Sequence, residues 1–253
     1  MSVIVVKYGG SLLEEPGHRS LFLKEAAALA GRAKLVLVHG GGKEISRQME
    51  QAGLTPRFVN GRRYTDEAAM EVVEKALSRL NADIVTELGT YGAKAVGLSG
   101  RDQSLLIAEP IAELGRVGMP KTVNAAALQK FLKNAALPVF YSVAEDAEHA
   151  PLNINADEFA LALAIACRSD QLVYLTDTGG VLDAAGKRIT RITPADVDRL
   201  AKEQVITGGM LVKVRACVDA LKKGVGRVDI VKGISYLLKP ESLEPEGTVF
   251  TLT

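Results

Sequence analysis

Val3-Ile4-Val5-Val6-Lys7-Tyr8-Gly9-Gly10-Ser11 decides the fold. Its apolar run, Val3–Val6, reads as a strand buried on both faces, as in a parallel sheet covered by helices. The glycines that end it let backbone approach a ligand closely, because no Cβ intervenes. A helix opening behind them points free N–H groups and the positive end of its dipole at the same spot. The pattern returns at Leu35-Val36-Leu37-Val38-His39-Gly40-Gly41-Gly42-Lys43. One such turn suggests an anion site. Two, one with a lysine at the strand end, suggest a protein that handles a phosphoryl group.

Outward from these turns, strand and helix patterns alternate. Leu21 to Gly31 reads as a helix with a glycine stop, and Glu44 to Ala52 as another, ended by Gly53. Thr65 can cap a long helix from Asp66, with Val72, Val73, Ala76, Leu77 and Leu80 on its apolar side. Ala93 to Leu98 predicts a strand ending in Ser99-Gly100, and residues 104–123, with spaced Gly and Pro, predict short strands and turns. Asn124 caps a helix to Asn134, and Pro138–Val143 returns as one strand. Later come a helix at Ala156–Arg168, a strand at Leu172–Leu175 and the turn Thr176-Asp177-Thr178-Gly179-Gly180. Pro194–Glu203 and Met210–Lys223 are helical; Val228–Val231 and Gly247–Leu252 are strands. The alternation predicts right-handed crossovers and an α/β fold: a three-layer α/β/α sandwich around a central, mainly parallel sheet. No low-complexity linker or solenoid repeat divides the chain, so residues 1–253 are expected to form a single domain with two functional lobes.

Composition narrows the function. With 47% hydrophobic residues the 253-residue chain has material for a large core. Thirty-one basic and thirty acidic residues leave +1, which gives no electrostatic case for nucleic acid or an anionic membrane as partner. No apolar run is long enough to span a bilayer, and Met1–Lys7 lacks the basic n-region and cleavage site of a signal peptide. Cys167 and Cys217 sit in helical patterns and read as reduced thiols of a cytoplasmic protein; His18, His39 and His149 lack metal-ligand spacing, so no metal site is assigned. Ile45 stands where a dinucleotide-binding G-x-G-x-x-G needs its last glycine; G-x-x-x-x-G-K-[ST] and G-x-S-x-G are also absent.

Three further segments carry chemistry. Asn60-Gly61-Arg62-Arg63-Tyr64-Thr65 sets two guanidinium groups beside a turn, where arginine forks bind carboxylates at two points. Asn153-Ile154-Asn155-Ala156-Asp157 puts two amides and a carboxylate at a helix start, and Gly208-Gly209-Met210-Leu211-Val212-Lys213 puts a lysine one turn into a helix. Singly, each also fits a solvated surface or an ordinary first-turn acid.

Together and in this order, with Val96-Gly97-Leu98-Ser99-Gly100, Leu114-Gly115-Arg116-Val117-Gly118 and Leu175-Thr176-Asp177, they make the chain resemble the amino-acid kinase family from Val3 to about Thr248. The likeness is greatest to the branch that phosphorylates the side-chain carboxylate of N-acetyl-L-glutamate with ATP in arginine biosynthesis. By that resemblance, Lys7 and Lys213 stabilise the transferring phosphoryl, Asp157 holds both ammonium groups, and Gly10 donates backbone N–H to the phosphoryl oxygens. Gly41 and Gly42 contact the acyl amino acid, Arg63 takes its α-carboxylate, and Asn153 binds substrate, while Arg62 occupies a variable neighbouring position. The nucleotide site maps to Asp177, Thr178, Gly179, Gly180, Val181 and Leu182 and to Val205, Ile206 and Thr207. The lobe at about 1–150 would bind the acyl amino acid and that at about 151–253 the ATP. Mg²⁺ would arrive on the β- and γ-phosphates.

The chain departs from the family pattern in three places. The acidic segment Tyr141–Pro151, with Glu145, Asp146 and Glu148, replaces a glycine-containing loop, Arg101 replaces a commoner lysine, and Tyr64 a valine. The chain also starts at the first strand, without the N-terminal helix that arginine-inhibited relatives use to build hexamers. A homodimer without that feedback is therefore expected. Rival readings are an acetylaminoadipate or carrier-linked aminoadipate kinase, against which the acidic run speaks, and a non-catalytic amino-acid- or nucleotide-binding regulator, against which the retained Lys7, Asp157 and Lys213 speak. Glutamate 5-kinase and carbamate kinase share the fold, but Arg63-Tyr64-Thr65 suits an acylated amino acid better.

Overall fold

A computed structural model describes residues 1–9, 11–133, 136–239 and 245–253. In chain order the first part runs β1 (Val3–Tyr8), α1 (Ser11–Glu14), α2 (Pro16–Ala30), β2 (Lys34–His39), α3 (Gly42–Gln51), β3 (Phe58–Val59), β4 (Arg62–Arg63) and α4 (Glu67–Thr90). Next come β5 (Ala95–Ser99), β6 (Leu106–Pro110), β7 (Val117–Val123), α5 (Ala125–Lys133), β8 (Leu137–Tyr141), β9 (Val143–Glu145) and β10 (Pro151–Ile154). The remainder is α6 (Ala156–Cys167), β11 (Gln171–Leu175), β12 (Val181–Leu182), β13 (Arg188–Ile189), β14 (Arg191–Ile192), α7 (Pro194–Lys202), α8 (Gly208–Lys222), β15 (Arg227–Val231) and β16 (Gly247–Phe250).

Eight strands form one sheet in the order β14-β16-β15-β11-β1-β2-β8-β5. All neighbours are parallel except β15 and β16. Alternating side chains of β1 serve opposite faces. Val5 packs with Val36 and Val38 against Phe159 and Leu163 of α6 and Val214 and Cys217 of α8. Ile4 and Val6 pack with Leu35 and Leu37 against Phe22 and Leu23 of α2 and Ile84 and Leu88 of α4. That is the expected three-layer sandwich with a mainly parallel sheet, and it explains why Val3–Val6 has no polar face. β1 is central, and the chain leaves it toward β2 and returns on its other side at β11. The C-terminal ends of β1 and β11 therefore border the crevice where ligands sit in such folds.

Three elements differ from their expected form. Pro138–Val143 is not one strand: β8 stops at Tyr141, and from Val143 the chain joins a small closed barrel of β10, β7, β6 and β9. Ser142 marks the switch, its carbonyl accepting from Ile154 N. An unbroken apolar run carries no sign of a change of sheet. The α4 cap is Asp66, whose carboxylate accepts from Ala69 N at 2.8 Å. Thr65 is buried instead and donates its hydroxyl to Arg63 O. α2 starts at Pro16, where a fixed φ and a missing N–H cost nothing. The turn of polar residues around His18 and Arg19 hides that start from a periodicity reading. The expected Asn124 cap is present, accepting from Ala127 N, but the predicted helix end at Asn134 lies outside the described residues.

Candidate active site

Three charges from three elements meet at the crevice. Lys7 is the penultimate residue of β1, Asp157 lies in the first turn of α6, and Lys213 sits on α8. Lys7 Nζ is 2.9 Å from Asp157 Oδ1 and Lys213 Nζ is 3.1 Å from Oδ2, so one carboxylate bridges two ammonium groups. Burial alone would push the Asp157 carboxyl up. The two lysines outweigh it and hold the group below the usual carboxylate range, so it stays ionised. Local chemistry sets the position. Asn155 caps α6, its side chain accepting from Asp157 N at 2.8 Å. Tyr174, paired in register with Lys7, donates its hydroxyl to Asp157 O at 3.2 Å, and Lys213 Nζ lies 5.9 Å from its ring. Burial keeps that phenol protonated. Gly9 leaves the space Lys7 needs, since a Cβ there would stand 3.1 Å from the Lys7 ammonium. The triad carries a net positive charge beside helix N-termini, which suits an incoming anion.

A cavity of about 270 Å³ opens beside Lys7 and Asp157 and gathers Gly41, Gly42, Arg63 and Asn153. Gly41 is required by packing, because a Cβ would come within 2.8 Å of Leu77. Arg63 is 6% exposed. Its guanidinium donates to Gly42 O at 2.7 Å and Ser46 Oγ at 2.8 Å, and it lies 4.8 Å from the Phe58 ring. Burial lowers its pKa, and no carboxylate pairs with it among the described residues. A buried cation without a counter-ion, facing a cavity, calls for an anionic ligand. Asn153 donates through Nδ2 to Thr65 Oγ1 at 3.1 Å. A second cavity, about 260 Å³, contains Lys213 and Tyr174; Gly61, Arg62, Asn155 and Asp157 border both. A larger open groove of about 1090 Å³, between α2, α3 and α4, contains neither lysine of the triad.

The other expected residues are placed differently. Gly10 lies outside the described residues. Asp177–Leu182 and Val205–Thr207 border neither cavity, although Thr207 precedes α8 and the Asp177 turn follows β11. Val181 and Ile206 are core residues, buried along their whole length, and Val181 N already donates to Thr248 Oγ1. The acidic run does not form a charged face: Glu145 and Asp146 are buried, Glu145 beside His149 Nδ1 at 2.9 Å and Asp146 accepting from Glu148 N and Ala150 N.

Sequence reasoning passed over a support under the second glycine turn. His39 is buried, its Nδ1–H donating to Gly40 O at 2.9 Å and its Nε2 accepting from Asn81 Nδ2 at 3.0 Å. Burial pushes its pKa down to about 4, so the ring is neutral and holds this tautomer. Only its place between strand and glycines could have drawn attention to it. Among the described residues no group of three or more His, Cys, Asp or Glu could hold a metal ion, and the triad's one carboxylate has both oxygens engaged by lysines. Among the same residues no helix is long and apolar enough to cross a membrane.

An α/β sheet that gathers two lysines, a shared carboxylate and a buried arginine without a carboxylate partner among the described residues, all beside one crevice, is built to receive anions. Residues 2–232 match the family described as the Amino acid kinase family, and the chain belongs to it. It is 41% identical over 236 residues to the acetylglutamate kinase of Endomicrobium trichonymphae, covering 93% of this chain and 95% of that one. The solved structure of smu.665 from Streptococcus mutans UA159 superposes with a TM-score of 0.84 at 29% identity, covering 99% of both chains. Carbamate kinase from Giardia lamblia, solved with AMP-PNP, shares the fold at a TM-score of 0.73 and 15% identity, covering 100% of this chain and 99% of its own.

Proposed function

We propose that this chain transfers the γ-phosphoryl of ATP to the side-chain carboxylate of N-acetyl-L-glutamate, giving the acyl phosphate and ADP. The observation that carries the reading is the Lys7–Asp157–Lys213 bridge beside a cavity that holds the unpaired Arg63. The acceptor carboxylate oxygen forms the new bond to phosphorus as the bond to the ADP oxygen breaks. A carboxylate nucleophile has no proton to lose, so no general base is needed. The work left to the protein is alignment of two anions and stabilisation of the charge on the phosphoryl oxygens.

In this reading Lys7 and Lys213 hold the phosphoryl from opposite sides, and Asp157 keeps their ammonium groups in place. Backbone N–H of Gly10 assists, a role that rests on the family resemblance. Arg63 takes the α-carboxylate, while Gly41, Gly42 and Asn153 bind the rest of the acceptor. The nucleotide lies against the Asp177–Leu182 and Val205–Thr207 segments and brings Mg²⁺ on its phosphates. The lobe at about 1–150 thus serves the acceptor and that at about 151–253 the donor. A cytoplasmic homodimer belongs to the same proposal; the free cysteines and the edge strand β5, with Val96 exposed, support it.

The test is a coupled ADP-release assay with N-acetylglutamate, glutamate, acetylaminoadipate and carbamate offered separately. Turnover with N-acetylglutamate is expected. Turnover with glutamate or carbamate alone overturns the assignment, and a preference for acetylaminoadipate moves the enzyme to the lysine-type branch.

A further inference from the structure

Arg62 and Glu158 lie ninety-six positions apart, and each precedes or follows a residue of the site. Arg62 stands next to Arg63, and Glu158 follows Asp157. Their side chains form a two-point ion pair, Arg62 Nη1 donating to Glu158 Oε2 at 2.9 Å and Nη2 to Oε1. Both side chains are 24% exposed, well below the lysine and arginine pairs on the outer faces of α7 and α8. Held in a fork and partly out of water, such a pair is stronger and more directional than a surface contact.

The pair adds a side-chain tie to α6 beyond the contacts of Arg63 with Gly42 O and Ser46 Oγ. β3 and β4 form a ribbon of two residues a side, closed by Asn60-Gly61 with φ of 49° and 78°, a turn these residues favour. A ribbon that short has little stability of its own. Its Phe58 is 56% exposed. Yet the ribbon carries Arg63 into the acceptor cavity, and Gly61 and Arg62 border both cavities. α6, in contrast, is packed into the core through Phe159 and Leu163.

We propose that the Arg62–Glu158 pair is a positioning pair that latches the Phe58–Arg63 ribbon to the helix carrying Asp157, and so fixes Arg63 in the acceptor cavity relative to the transfer centre. The proposal rests on the kinase reading above. Neither residue touches the reacting atoms; both act through their neighbours. Loss of the latch lets the ribbon and Arg63 drift, so acceptor binding suffers more than nucleotide binding.

The test is a double-mutant cycle of Arg62→Leu, Glu158→Gln and their combination, with KM for N-acetylglutamate and for ATP measured separately. Each single variant should raise the acceptor KM about tenfold and leave the ATP KM within about twofold, the size expected of one half-buried two-point pair. The double variant should match either single variant instead of multiplying them, and the reversed pair Arg62→Glu/Glu158→Arg should recover part of the loss. Multiplicative effects, an unchanged acceptor KM, or equal rises in both KM values overturn the latch. Glu158→Gln is nearly isosteric and serves alone if Arg62→Leu does not fold. Amide exchange over residues 57–64 provides a substrate-free reading: faster in each single variant is expected, unchanged in both contradicts the latch. An inactive wild type would reject the kinase reading and leave this exchange result to judge the latch.

Discussion

The proposed transfer centre and the proposed acceptor cavity share a wall but differ in charge. At the centre every charge has a partner in the protein itself: Lys7 and Lys213 both rest on Asp157. In the cavity Arg63 is buried with carbonyl, hydroxyl and aromatic neighbours and no carboxylate among the described residues. The first is complete before a ligand arrives, the second only afterwards. A paired centre needs no rearrangement at the moment of transfer, which is what electrostatic preorganisation requires. An unpaired cavity selects for a ligand that brings its own negative charge, because any other leaves a buried cation uncompensated.

The largest effect should come from breaking the complete side. Lys213→Ala and Asp157→Ala should each lower kcat by about a hundredfold or more, roughly the 3 to 4 kcal/mol typical of one preorganised charge stabiliser, with the fold retained by circular dichroism. Near-normal kcat in both variants would remove the triad from the chemistry. Breaking the incomplete side should act on binding instead. Arg63→Met should raise the KM for N-acetylglutamate on the order of a hundredfold, or about 2.7 kcal/mol, with a small change in kcat. Because it also removes an uncompensated buried charge, the unliganded variant should be no less stable than wild type in a urea melt. A large stability loss would mean that Arg63 is structural.

The support under Gly40 gives a smaller effect with a definite sign. The folded pKa of His39, about 4, lies below its ordinary 6.5. The unfolded chain therefore binds the extra proton between these values, and stability is full above pH 6.5 and lost as pH falls toward 4. Between pH 7 and pH 5 the loss should be about 2 kcal/mol by urea denaturation, and His39→Gln should flatten that slope. An unchanged slope in the variant would assign the pH dependence elsewhere. The smallest effect is expected at Arg199, whose pairs with Asp196 and Glu203 are on an exposed helix face. Arg199→Ala should shift stability by less than about 1 kcal/mol and leave both KM values alone.

How much of this was readable in advance follows from how local each signal is. The Val3–Val6 run and its glycines marked the central strand and its ligand end, because periodicity and Cβ-free turns act within a few residues. Asn155 and Asp157 were visible as a helix start for the same reason. Tertiary competition was not visible. Thr65 and Asp66 are both good caps, and only the burial of Thr65 against Asn153 decides for Asp66. The switch of sheet at Ser142 leaves no trace in an apolar strand pattern. The Arg62–Glu158 and His39–Asn81 contacts join segments far apart in the chain, and neither has a local signature. The inward turn of Glu145 and Asp146, read from sequence only as part of an acidic loop, is a further case in which partners decide where a charge points.

The most direct test is identification of the product. The enzyme is incubated with ATP and N-acetyl-L-glutamate, and the acyl phosphate is trapped with hydroxylamine as its hydroxamate. N-acetylglutamyl hydroxamate should form in proportion to ADP, and Lys213→Ala should suppress both together. ADP release without hydroxamate, or hydroxamate formation undiminished in Lys213→Ala, would contradict phosphoryl transfer to a carboxylate at the Lys7–Asp157–Lys213 centre.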